Sequence, residues 1–157
     1  MLTNTPRHKS LKHCLEGSEY ESKKDYEKAI SSYKKAFVES QGHYDIGDCS
    51  AKALNSLIYL CSKQKWYDRE LEAIGLYIEE FMQCNEFLAE VYIEMYSEFE
   101  EAAFNALETN TPIDEVNEYG APPLEQYDLN NYITRREEVL NLIEKEEAKK
   151  IASLLQN

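Results

Sequence analysis

Residues 13–37, HCLEGSEYESKKDYEKAISSYKKAF, decide the fold. Tyr26, Ala29, Ile30, Tyr33, Ala36 and Phe37 recur at helical spacing and share one face of a helix over 26–40. Asp25 stands where an N-cap belongs, with a carboxylate that can accept from the amide of Lys28. Residues 8–22 read as a preceding helix, interrupted at 23–25. Two helices of about 15 residues joined by so short a turn make an antiparallel hairpin, which exposes a second apolar face for another hairpin to bury. Gly17, Ala29 and Ala36 let the two helices approach closely. Tyr20, Tyr26 and Tyr33 fill the wider spaces beside them.

The helical pattern continues after a break at 42–47. A third helix is predicted over 48–62 and a fourth over 66–82, where Leu71, Ile74, Ile78 and Phe81 form the apolar stripe. A fifth helix is predicted over 85–108, with Val91, Met95, Phe99 and Ala102 facing inward. Residues 109–133 hold three of the four prolines and no sustained period. They read as a loop inserted in the domain and laid down so that Ile113, Val116, Tyr119 and Leu124 gain cover. Thr134 and Glu137 have the spacing of a capping box, which would start a last helix running through Val139, Leu140, Ile143, Ile151 and Leu154. Six helices and no strand predict one all-α domain over 1–157.

Length and composition agree with that class. A chain of 157 residues, 43% hydrophobic, with 5 glycines and 4 prolines, holds one real core and is neither disordered nor loop-rich all-β. No apolar run reaches membrane-spanning length, and the first ten residues lack the apolar stretch of a signal peptide. The four cysteines lie in helical patterns and are expected to be free, buried thiols in a cytoplasmic protein. Net charge is −13, and it is unevenly placed: residues 70–134 carry sixteen carboxylates and no lysine or arginine. Such a surface repels nucleic acid and anionic lipid and attracts basic partners. Glu94, Glu98 and Glu101 are the acidic-patch candidates.

The first hairpin resembles the tetratricopeptide repeat family, whose motif runs aromatic, x2, Leu-Gly, x2, Tyr, then Ala-x3-Phe and a helix-ending proline. His13, Glu16-Gly17, Tyr20, Ala29-x3-Tyr33 and Ala36 occupy those positions, with Glu16 in place of leucine and Gln41 in place of the proline. The likeness covers residues 10–43 by motif and 50–84 by pattern, at an offset of 41 residues with Glu70 standing where alanine is usual. Beyond that it rests on helix order alone, with 85–108 and 134–155 expected to pair.

The resemblance implies a short solenoid of stacked hairpins with a concave face that holds a partner's peptide or helix. By matched positions that face would present Leu11, Cys14, Ser18, Glu21 and Ser22 from the first unit, and Asn55, Tyr59 and Ser62 or Lys63 from the second. Cys14 and Ser18 supply neither cation nor amide. A carboxylate clamp for chaperone C-termini is therefore not expected, and a protein partner with a basic or amphipathic segment is.

No spacing typical of metal ligands, phosphate loops or nucleophile elbows occurs, so no metal, cofactor or catalytic residue is expected. His13 reads as a packed histidine, and Trp66 and Tyr67 as anchors of the second hairpin. The chain reads as a non-catalytic interaction module or adaptor. The alternatives are a structural subunit docking through its C-terminal helix and an enzyme of unrecognised type.

Overall fold

The computed structural model describes residues 4–114 and 120–156. Thr5 opens α1 (Pro6–Ser22): its Oγ1 accepts from the His8 amide at 3.2 Å, and Pro6 lies in the first turn, where a missing N–H is no loss. The helix stops at a turn in which Lys24 has a φ of 59° and the Asp25 amide donates to the Tyr20 carbonyl at 2.9 Å. Asp25 then caps α2 (Tyr26–Ser40), accepting from the Lys28 amide at 3.4 Å. Gly17 lets α1 and α2 lie against each other: a Cβ there would stand 2.5 Å from Cε1 of Tyr33.

The second hairpin repeats this geometry. A 3-10 turn over Tyr44–Ile46 leads into α3 (Gly47–Lys63), which ends where Lys65 has a φ of 58° and the Trp66 amide donates to the Cys61 carbonyl at 2.9 Å. Lys65, Trp66 and Cys61 each stand 41 positions after Lys24, Asp25 and Tyr20, so the two turns share one hydrogen-bond pattern. Trp66 packs edge-on against Tyr26, ring centres 5.9 Å apart, which ties the two turns together. Ala29, Ile30, Tyr33, Leu57, Leu60, Cys61 and Ala73 form the core between the hairpins. Where α1, α2 and α3 meet, buried Ser10 donates to the Ala36 carbonyl and Ser50 to the Ser40 hydroxyl.

Beyond the second hairpin the structure departs from the predicted boundaries. The fourth and fifth helices do not part at 83–84: α4 (Tyr67–Met95) runs unbroken through that point. Cys84 and Asn85 there are buried, and the Asn85 amide exchanges two hydrogen bonds with the backbone of Tyr127, at 2.8 and 3.0 Å. A residue type that often ends helices is here occupied by the loop. The break comes instead at Tyr96, followed by a 3-10 turn over Ser97–Phe99 and α5 (Glu100–Thr109). The inward face shifts with it. Ala89, Tyr92, Ala103, Ala106 and Leu124 form that part of the core, whereas Val91 and Met95 are exposed and Phe99 and Ala102 only half-buried.

The last helix also begins early. α6 (Asn130–Gln156) starts where the Asp128 carboxylate accepts from the Asn130 amide at 2.9 Å, so Thr134 lies inside the helix and caps nothing. Nor does α6 pair with α5. It returns antiparallel along the first half of α4, with Tyr132 stacked on Tyr77, Val139 packed with Ile74 and Ile78, and Ile143 reaching the start of α4. In the loop, Ile113 and Leu124 meet as one isolated bridge and gain the expected cover, whereas Val116 and Tyr119 lie outside the described residues. The described residues thus form an all-α arrangement of six α-helices built on helical hairpins.

Candidate partner-binding site

Where the first hairpin has Ala29, the second has Glu70, and both are fully buried. The Glu70 carboxylate is met by Arg135 of α6, whose Nε and Nη2 donate to its two oxygens at 2.7 and 3.1 Å. Nη2 also donates to Ser62 of α3 at 3.2 Å. The bond to Glu70 holds the guanidinium above its already high ordinary pKa. Tyr132, a turn earlier, donates its hydroxyl to Asn55 of α3. α6 therefore lies over α3 as well as α4, fixed by a buried charge that the repeat pattern alone would not place there.

This arrangement decides which candidate groove residues can meet a partner. Asn55 and Ser62 are held by α6. Cys14 is buried in the core between α1, α2 and α3, unavailable to a ligand. Glu21 is half-buried, its carboxylate accepting from the Tyr33 hydroxyl at 2.9 Å, and burial with that bond pushes the Tyr33 phenol well up. Ser22 bonds the Glu19 carbonyl of its own helix, Leu11 is half-buried, and Ser18 is exposed. Tyr59 is 64% exposed, with the Lys63 ammonium 5.4 Å from its ring centre. The face expected to form the groove is thus left with scattered groups.

A more coherent surface lies at the other end of α4. Phe99, Phe104 and Ile113 line an open trough of about 980 Å³ between α5 and the segment that follows it. Phe104 is 51% exposed, although it sits on a helix whose Ala103 and Ala106 are buried. Glu98, Glu101 and Glu108 also line the trough, and none of the three forms an ion pair among the described residues. With no lysine or arginine between 70 and 134, its lining combines apolar side chains with carboxylates and holds no cation among the described residues. Two of the three acidic-patch candidates, Glu98 and Glu101, belong to this trough, and the third, Glu94, is exposed nearby in sequence on α4. Phe104 and Ile113 were not among the sequence candidates; the available signal was a phenylalanine off the helix's alanine stripe.

All four cysteines are free and buried, and burial pushes the Cys61 and Cys84 thiols up to about 11. Among the described residues no group of three or more His, Cys, Asp or Glu is placed to hold a metal ion, and no helix is long and apolar enough to cross a membrane. No protein-family model, curated protein or solved structure matches the chain.

Proposed function

We propose that the protein is a non-catalytic interaction module of the cytoplasm, an adaptor that holds a basic, amphipathic segment of another protein. The observation that carries this reading is the trough at α5, where a half-exposed phenylalanine stands beside three carboxylates with no lysine or arginine among the described lining residues. Apolar contact would supply affinity, and the carboxylates would steer lysine-rich partners and repel nucleic acid and anionic lipid. The repeated hairpin turns support reading the first two units as tetratricopeptide-like, acting as the scaffold that presents α4. In this reading the concave face, with Tyr59, Lys63 and Glu21, is a secondary contact area rather than the main groove.

A second reading has its own observation. Ile151, Leu154 and Leu155 near the end of α6 are 58, 75 and 82% exposed, as a subunit docking through that helix requires.

The test is titration of a synthetic amphipathic lysine–leucine helical peptide, followed by fluorescence anisotropy. Phe104→Asp should weaken binding at least about tenfold by removing an apolar contact. Neutralising Glu94, Glu98 and Glu101 to glutamine should slow association at about 50 mM salt and matter little at about 500 mM, where charges are screened. Binding indifferent to both variants would refute the trough.

A further inference from the structure

The chain itself carries a segment with the chemistry the trough selects. Residues 149–156, KKIASLLQ, hold two lysines and no carboxylate. Ile151, Leu154 and Leu155, at i, i+3 and i+4, share one side of α6 and are exposed. We propose that this end of α6 docks in the trough of a second copy of the chain, with Ile151, Leu154 and Leu155 on Phe99, Phe104 and Ile113, and Lys150, one turn before Leu154 on the same side, toward Glu98, Glu101 and Glu108. The proposal rests on the trough being a docking site and names its occupant.

Geometry excludes the same contact within one molecule. α6 runs antiparallel to α4, and Lys150 lines a cleft with Tyr67 and Asp68 at the first turn of α4. The trough lies past Met95, the last residue of α4. Twenty-nine helical residues at 1.5 Å each separate the two by about 43 Å. Leu155, five residues beyond Lys150, lies at most about 18 Å from it even fully extended. Tail and trough therefore face opposite ends of the body, so the contact joins two copies, reciprocally in an antiparallel dimer or head to tail in a longer chain.

The overall charge of −13 works against assembly. At about 150 mM salt this long-range repulsion is screened within about 8 Å, while the docked Lys150 and the glutamates stay within that range. The small contact belongs to the weak, transient class below about 1,200 Å².

Sedimentation velocity from about 10 μM to about 1 mM at that salt tests it, in the concentration range where so small a contact is populated. The wild type should grow in mass with concentration, to a dimer or beyond. Phe104→Asp alone and Leu154→Glu/Leu155→Glu alone should each stay monomeric. Mixed one to one, they should form a heterodimer and go no further, because one retains a tail and the other a trough. Far-ultraviolet circular dichroism checks that each variant keeps its helices. A wild type monomeric throughout, a single variant that still assembles, or a mixture that stays monomeric overturns the proposal. Titration of the lysine–leucine peptide into the same samples separates two failures. Peptide binding lost with Phe104→Asp, beside a monomeric wild type, overturns the second copy as occupant and leaves the trough standing. No peptide binding overturns both.

Discussion

Replacing Arg135 by methionine removes the partner of a charge that has no access to water. The Glu70 side chain is 0% exposed, and the guanidinium supplies both of its short contacts, at 2.7 and 3.1 Å. Breaking a buried pair from one side costs about 3–5 kcal/mol, because the remaining ion keeps its desolvation penalty without compensation. The Arg135 side chain is 33% exposed, so water can reach part of the vacated space. That argues for the lower end, about 3 kcal/mol. For a chain of this length the loss corresponds to a fall in Tm of about 6–12 °C, readable by circular dichroism at 222 nm. The Glu70→Leu/Arg135→Met double variant removes both charges and should lie within about 1 kcal/mol of the wild type. Trypsin should also cut α6 faster in the single variant, since packing by Tyr132, Ile133, Val139 and Ile143 would then hold that helix to α4 without the ion pair. A single variant within 2 °C of the wild type (about 1 kcal/mol or less), or a double variant that falls as far as the single, would refute this account of how α6 is fixed.

Gly17→Ala should destabilise the protein by about 1–3 kcal/mol, because its Cβ would lie 2.5 and 2.7 Å from two atoms of the Tyr33 ring; Gly17→Leu should cost about 2–4 kcal/mol, and an unchanged Tm in either would sink the seam. At pH 8 the native protein should resist iodoacetamide for hours. Thiols at about 11, as Cys61 and Cys84 are, hold about one thiolate in a thousand at that pH. The unreduced protein unfolded in guanidinium should take four labels by mass spectrometry, and fewer would mean a disulfide.

What the sequence made legible follows from how local the physics is. The bounds of α2, its Asp25 cap, the Gly17 seam and the 41-residue offset depend on neighbours within a turn or one hairpin partner. The oddity of Glu70 was visible as well, since a carboxylate stood where a small residue belongs. Its partner lies 65 positions away, on a helix expected to pair elsewhere, and no local pattern links them. The continuity of α4 was hidden for a related reason: Asn85 reads as a helix end until Tyr127 arrives to take both of its hydrogen bonds. With the break at Tyr96 rather than at 83–84, the inward stripe shifts, and Phe104 faces the trough. The acidic lining needed no such correction, because charge along 70–134 is a property of composition rather than of packing.

Amide hydrogen exchange with and without the lysine–leucine peptide tests the central claim most directly, because it locates the binding surface without a mutation. Protection should appear in α5 and residues 111–114 and be absent from the faces of α1 and α3 that carry Ser18 and Tyr59. Protection confined to α1 and α3, with α5 unchanged, would return the partner to the concave face and contradict the trough.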